Sequence, residues 1–282
     1  MTSIDSAELA HRVETLGRSH LVVLTGAGVS AASGLPLFRG PDPDAIWTRD
    51  VTEMGTNAAF ERDPMYWWRW FIARFGGLRD AKPNAAHRAL AELQRWHEAR
   101  GGRFTLITQN VDTLHEDAGS PSPVKVHGTI ARFRCSRRGC AHGAPRGSLP
   151  LETFDALRWA DDPREETLPR CPACRSLVRA HALLFDEFYA EHDDYGFERA
   201  SEALDTMELL LLVGTSLSVG ITDMAMHAAA SKRIPAIRID PRSESNGFAW
   251  LLKGEAESVL PELVRVVGSQ PKYEVFADRR SR

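Results

Sequence analysis

The chain has no long apolar run. Its longest, Leu209 to Val213, is strand-sized, against the ~20 residues of a membrane-spanning helix, so no membrane partner is expected. Charge of one sign is also missing: 35 basic residues face 38 acidic ones for a net −3, which argues against stable binding to nucleic acid or an anionic surface. The first residues, MTSIDSAELAHRVETLG, carry acids and lack the apolar stretch of a signal peptide, so a cytoplasmic, monomeric protein is expected. Cysteine is scarce. All four fall in two close pairs, which does not suit a disulfide-stapled scaffold. What remains is ordinary: 43% hydrophobic and 26% charged over 282 residues, enough for one sizeable core and a smaller module.

The chain is organised around LVVLTGAGVSAASGLPLFRG, Leu21 to Gly40. Leu21–Leu24 is a β-branched apolar run that reads as a parallel strand buried on both faces. Gly26 and Gly28 permit a tight turn and close approach to a ligand, and Ala31 takes the small third position of a G-x-G-x-x-G/A pattern. A helix opened by Val29–Ser33 would aim its N-terminal amides at a phosphate. A plain tight turn explains Gly-Ala-Gly as well, and the acidic residue about 20 positions on that usually completes a dinucleotide site is missing. The Gly/Pro-rich continuation, with Phe38 and Arg39, suits a loop that folds over a cofactor.

Further strands are predicted at Phe104–Thr108, Val124–Val126, Glu208–Val213 and Ile234–Ile239, and helices at Ser6–Gly17, Asn84–Glu98 and Glu257–Val267. Each strand ends in polar or small residues: Gln109, Asn110 and Asp112; His127 and Gly128; Gly214, Thr215 and Ser216; Asp240. Ligands bind at such carboxyl ends in open α/β sheets. Between Asp50 and Gly77, Trp67, Trp68, Trp70, Phe71 and Phe75 crowd together. They read first as helix core and second as a wall for the apolar stem of a substrate.

Cys135-x4-Cys140 and Cys171-x2-Cys174 are separated by 30 residues. Thiolates so spaced supply two corners each of a tetrahedral Zn2+ site with no open position, hence structural. His142 competes as a ligand. Arg132, Arg134, Arg137 and Arg138 around the first pair suit a solvated basic face better than a nucleic-acid contact.

The motifs GAGVSAASGLPLFRG, TQNVDTLH (Thr108–His115), His127-Gly128, the paired cysteines and GTS (Gly214–Ser216) resemble, in order and spacing, the sirtuins, NAD-dependent protein lysine deacylases. The resemblance implies an α/β fold, a Rossmann-like parallel sheet with a smaller zinc-containing and helical domain. Residues 1–40, 82–130 and 188–282 would form the NAD-binding domain, 41–81 the helical part of the small domain, and 131–187 its zinc module and substrate-binding segment. It also implies NAD as co-substrate, one structural Zn2+, acyl-lysine proteins as substrates, and nicotinamide and O-acyl-ADP-ribose as products. By position, Gly26, Ala27, Gly28, Ser30, Phe38 and Arg39 would hold phosphates and ribose. Gln109, Asn110 and Asp112 would surround the nicotinamide ribose, with Asn110 catalytic. Gly214, Thr215, Ser216, Asp240 and Ala256 would take the adenosine half. His127 would be the general base, a task that suits histidine near neutral pH.

Two departures from the family pattern matter. The segment that pairs with the substrate backbone reads Arg179-Ala180-His181-Ala182-Leu183-Leu184-Phe185-Asp186-Glu187. It keeps Phe185 and Glu187, with Leu183 beside them, but has Ala180 for proline and Asp186 for glycine. A negative charge at Asp186 beside the peptide track would favour basic peptides. In the aromatic helix, Phe71-x-x-Arg74 stands where desuccinylases carry Tyr-x-x-Arg; Arg74 either pairs with an acidic acyl group or is solvated beside a pocket for plain acyl chains. The competing readings are ADP-ribosyl transfer or NAD hydrolysis on the same fold, and a zinc-containing module that senses NAD.

Overall fold

The computed structural model describes residues 4–37, 49–216, 220–241 and 250–269. In chain order its strands are β1 (His20–Thr25), β2 (Arg103–Thr108), β3 (Val124–Lys125), β4 (Gly128–Cys135), β5 (Leu149–Pro150), β6 (Val178–Ala182), β7 (Leu209–Val213), β8 (Ala236–Ile239) and β9 (Trp250–Leu252). The α-helices are α1 (Ser6–Thr15), α2 (Arg49–Met54), α3 (Asn57–Arg62), α4 (Pro64–Phe75), α5 (Ala85–Glu98), α6 (Leu114–Asp117), α7 (Ala156–Asp161), α8 (Phe197–Thr206), α9 (Gly220–Lys232) and α10 (Ala256–Ser269).

Six strands form one parallel sheet in the order β3-β2-β1-β7-β8-β9. Counted within that sheet this is 3-2-1-4-5-6, the doubly wound dinucleotide-binding order, whose direction of winding reverses between β1 and β7. The apolar runs have a clear reason. Leu21 and Val23 of β1, with Leu209 and Leu211 of β7, face a core built with α1, α5 and α10. Val22 and Leu24, with Leu210 and Leu212, face an opposite core built with α8 and α9. A strand covered on both faces has no solvent side, so it cannot alternate.

The smaller lobe joins an antiparallel sheet, β5-β4-β6, to α2–α4 and α7 around one core that includes Phe60, Trp67, Trp68, Phe133 and Trp159. Trp67 stacks on Phe71 with centroids 5.0 Å apart, and the Trp68 indole N–H donates to the Val178 carbonyl at 3.1 Å. Asp63 starts α4 by accepting from the Tyr66 amide at 2.9 Å, with Pro64 at the first helical position.

One local expectation is corrected. The phosphate-facing α-helix at Val29–Ser33 is instead a short 3₁₀ segment, Ala27–Ser33, ended by Gly34 in the left-handed conformation. Its path is set from outside. The Gly28 amide donates to the Gly214 carbonyl at 2.9 Å, and the Asn84 side-chain amide donates to the Val29 carbonyl at 2.8 Å.

Candidate active site

A cavity of about 780 Å³ opens at the carboxyl ends of the parallel strands and extends under the small lobe. Gly26, Ala27, Gly28 and Ser30 follow β1; Gln109, Asn110 and Asp112 follow β2; His127 follows β3; Gly214, Thr215 and Ser216 follow β7; Asp240 follows β8. All of them line it, as does Ala256 at the start of α10. Phe38 and Arg39 lie outside the described residues.

The glycines are required by backbone against backbone. A Cβ on Gly28 would sit 2.7 Å from the Gly214 Cα, and one on Gly214, at φ 58°, would sit 2.5 Å from the Val29 nitrogen. The β1 and β7 loops therefore interlock at the winding reversal and leave the cavity floor as bare backbone. That floor suits close approach of a dinucleotide, with Asp240 and Thr215 beyond it; Arg238 donates to the Thr215 carbonyl at 3.0 Å and to Asp240 at 3.3 Å.

Ser30 is the hub of the polar wall. Its hydroxyl donates to Asp112 Oδ2 at 3.1 Å and accepts from Asn110 Nδ2 at 3.0 Å; Asn110 Nδ2 also reaches the Gly26 carbonyl at 3.2 Å. The Leu114 amide donates to Asp112 Oδ1 at 3.0 Å. Burial raises the Asp112 pKa against these stabilising bonds. Gln109 Nε2 donates to Thr215 Oγ1 at 3.1 Å, tying the β2 and β7 loops together. Behind Ser30 lie His87, 3.4 Å away, and His115, whose ring centroid is 4.8 Å from that of His87. Sequence reading passed over His87, although its place three residues after the Asn84 cap marks it: Nδ1 accepts the Asn84 amide at 3.3 Å.

His127 sits in the turn from β3 to β4. Gly128 must follow it, at φ 74°, because a Cβ there would meet the His181 carbonyl at 2.2 Å. His127 Nδ1–H donates to the Gln109 carbonyl at 2.8 Å, so Nε2 carries the free lone pair. Burial pulls its pKa from 6.5 to about 4, which keeps the ring neutral and able to accept a proton at pH 7.

The small-lobe wall is apolar: Val51, Trp70, Phe71, Phe75, Leu78 and Val111. The aromatic helix is thus divided, Trp67 and Trp68 in the core and Trp70, Phe71 and Phe75 along the cavity wall. Arg74, from the same helix, is not among the lining residues. Leu183 and Phe185 line the cavity, and the Leu183 amide donates to the His127 carbonyl at 2.9 Å. Glu187 lines it too, yet its carboxylate is committed elsewhere: Arg134 and Arg179 both donate to Oε1, and the Leu184 amide to Oε2 at 3.0 Å. Held this way, it fastens the segment along the cavity edge. Asp186, which stays exposed, accepts the Asn57 and Ala58 amides at 2.6 and 3.0 Å, so its negative charge sits at the start of α3, where the positive helix end favours it. Tyr189, which sequence reading left aside, lines the cavity beside His127.

Cys135, Cys140, Cys171 and Cys174 converge, with Sγ–Sγ distances of 3.4 Å (Cys135–Cys174) and 3.6 Å (Cys140–Cys171) and no disulfide. A tetrahedral Zn–S bond of about 2.3 Å implies Sγ–Sγ edges near ~3.8 Å, so the four thiols fit one structural zinc with no open position. His142 stays outside the group; its carbonyl accepts the Cys135 amide at 2.7 Å. The basic face around the first pair is neutralised in part: Arg134 is buried against Glu187, and Arg138 pairs with Glu191. His181, His192 and Asp194 also cluster, but both His192 nitrogens are engaged, Nδ1 by the Asp194 amide at 3.1 Å and Nε2 by the Gly147 carbonyl at 3.0 Å. That leaves no complete ligand set. No helix among the described residues is long and apolar enough to cross a membrane.

A doubly wound sheet with interlocked glycine loops, a neutral histidine over the cleft and a four-thiol module defines a dinucleotide-using α/β enzyme with a structural metal. Comparison with known proteins makes the class specific. The Sir2 family profile matches residues 26–220. A curated relative from Thermus thermophilus, "NAD-dependent protein deacylase", is 38% identical over 213 residues, 75% of this chain and 74% of its own. One of the same description from Pyrococcus furiosus is 35% identical over 256 residues, 88% and 93% of the two chains. The crystal structure of a Sir2 homolog–NAD complex superimposes with a TM-score of 0.74 at 34% identity, covering 94% of this chain and 95% of that one. The chain belongs to the Sir2 family.

Proposed function

We infer that this chain, an NAD-dependent protein deacylase of the sirtuin type, removes uncharged, apolar acyl groups from lysine side chains, with His127 as the general base. The observation that carries the acyl class is the small-lobe wall: Trp70, Phe71, Phe75, Leu78, Val51 and Val111 line it, and Arg74 does not. An acidic acyl group against that wall would lose its hydration with no cation in return among the described residues of the wall, a loss of several kcal/mol by order of magnitude. A short aliphatic acyl group gains about 0.8 kcal/mol for each buried CH2.

The interlocked loops of Gly26, Gly28 and Gly214 would receive the pyrophosphate of NAD, and Thr215, Ser216, Asp240 and Ala256 its adenosine half. Asn110 and Asp112, fixed by Ser30, would present an amide and a carboxylate to the nicotinamide ribose. NAD supplies a ribose carbon made electrophilic by departure of nicotinamide. The apolar wall keeps water from that carbon, so the acyl oxygen is the nucleophile within reach. His127 then takes a ribose hydroxyl proton on Nε2, the nitrogen left basic by the Nδ1 bond to Gln109. Leu183 to Phe185 run along the cavity edge with their amides held by the His127 carbonyl, Glu187 and the Gly55 carbonyl, so a substrate backbone would pair with this segment through its carbonyls.

Matched acetyl-, butyryl- and succinyl-lysine peptides with NAD, followed by mass spectrometry for peptide and nicotinamide, test this. Acetyl and butyryl turnover that is abolished in His127→Ala, reduced in Phe71→Ala and indifferent to Arg74→Ala is expected. Succinyl turnover lost selectively in Arg74→Ala overturns the acyl assignment. Nicotinamide release with no deacylated peptide overturns deacylation in favour of ADP-ribosyl transfer or hydrolysis.

A further inference from the structure

The polar contacts of His127's ring among the described residues are two: the Gln109 carbonyl on Nδ1 and the Tyr189 hydroxyl, 3.5 Å from Nε2. Tyr189 opens the short 3₁₀ turn Tyr189–Glu191, which follows the segment along the cavity edge. Its ring lies nearly parallel to the imidazole, at 11° with centroids 5.7 Å apart, and also stacks on Phe197 of α8 at 7° and 5.5 Å. His127, Tyr189 and Phe197 thus form one stack that runs from the base into the doubly wound half of the protein.

The phenol oxygen has a second tie. The Ile221 amide, in the first turn of α9, donates to it at 3.1 Å. Burial, with the Asp223 charge adding to it, raises the phenol pKa, so the group keeps its proton and remains a donor. Its oxygen already accepts from Ile221, and the acceptor within reach of its hydrogen is the His127 Nε2 lone pair. That is the nitrogen the reaction needs.

We propose that Tyr189 is a positioning residue for the base: its hydroxyl, held by the Ile221 amide, and its ring, held by Phe197, fix the plane and lone-pair direction of His127 relative to the α9 end of the cofactor cleft. This rests on the reading of His127 as the general base. The ring stack fixes the plane of the imidazole, and the Gln109 bond fixes its tautomer. The Tyr189 hydroxyl fixes the remaining freedom, tilt within the stack. When the ribose hydroxyl arrives, the phenol hydrogen rotates away and Nε2 takes the ribose proton. The imidazolium N–H then finds the phenol oxygen as an acceptor. No charge has to be created on Tyr189 at any stage.

The test uses the full-length, zinc-loaded protein and the Tyr189→Phe and Tyr189→Leu variants, with two assays on the acyl-peptide substrate. One follows deacylated peptide. The other follows exchange of labelled nicotinamide into NAD, which reads the bond-breaking step that precedes proton removal by the base. Tyr189→Phe keeps the stack and loses the hydroxyl. Its deacylation kcat is expected to fall about five- to tenfold, the range of one modest hydrogen bond, while KM for NAD and the exchange rate stay at the wild-type level. Tyr189→Leu loses ring and hydroxyl and is expected to lower kcat further; its exchange rate reports whether the cleft is still formed. A Tyr189→Phe protein whose exchange and deacylation fall in the same proportion, or whose kcat is unchanged, overturns the proposal. If His127→Ala deacylates normally, the base assignment fails first; if it is inactive while Tyr189→Phe matches wild type, only the positioning role fails.

Discussion

Replacing Glu187 by glutamine separates a structural role from a substrate-binding one. The carboxylate sits between two cations, and all three side chains are buried, with exposures of 9% for Glu187, 4% for Arg134 and 1% for Arg179. Arg179 also donates to the Ala182 carbonyl at 3.0 Å, and Glu187 holds the Leu184 amide at 3.0 Å. The cluster thus fastens the end of β6 to the segment that borders the cavity. Glutamine keeps the shape and removes the charge, which leaves two guanidiniums buried without a counter-ion. Breaking a buried pair from one side costs about 3–5 kcal/mol, out of a total near 5–15 kcal/mol. At roughly 2–4 °C per kcal/mol for a chain of this size, the melting temperature should drop by about 10 °C. Thermal unfolding followed by circular dichroism with zinc in excess measures it, with KM for acyl peptide recorded in parallel. A Glu187→Gln protein of wild-type stability with a raised peptide KM would refute the assignment, because a solvated, substrate-facing carboxylate behaves that way.

Metal analysis should find one zinc per chain, and Cys171→Ser or chelation should lower the melting temperature and abolish deacylation; metal-free protein with normal stability and activity counts against a structural zinc. Gly28→Ala pushes a methyl to 2.7 Å from the Gly214 Cα, so it should destabilise the protein by about 1–3 kcal/mol and sharply raise KM for NAD, whereas Gly77→Ala, which meets nothing within 4 Å, should do neither. Stability should also fall in mild acid. His87, His115 and His181 are each at most 1% exposed, and burial holds their pKa values below 6.5. The unfolded chain therefore binds protons that the folded one refuses as pH drops from about 6.5 towards 4. Each contributes about 1.4 kcal/mol per pH unit in that window, about 4 kcal/mol together. Urea midpoints at pH 7.5 and 5.5 check this; equal midpoints would show that the three imidazoles are solvated.

Much of the molecule is written locally. A strand buried on both faces must be a continuous apolar run, so β1, β2, β7 and β8 are visible in sequence, and the parallel sheet follows from their alternation with amphipathic helices. Cysteine pairs at ligand spacing announce a tetrahedral site, because neighbouring thiols must supply neighbouring corners. Gly26, Gly28, Gln109, Asn110, Asp112 and His127 form motifs because each group sits at one strand's end.

What stayed hidden depends on contacts between distant segments. Arg134 reads in sequence as part of a solvated basic face, and only the folded chain brings Glu187 between it and Arg179, 53 and 8 residues away. Whether Arg74 faces the acyl group depends on the rotation of α4, which the packing of Trp67 and Trp68 into the small-lobe core sets. That Asp186 also caps α3 shows only once amides 128 and 129 residues away are brought to it. Tyr189 meets His127 across 62 residues. Composition and periodicity record which face of an element is covered, which is a local property. Which side chain covers it, and how a charge is neutralised, is decided when the two lobes close around the cleft.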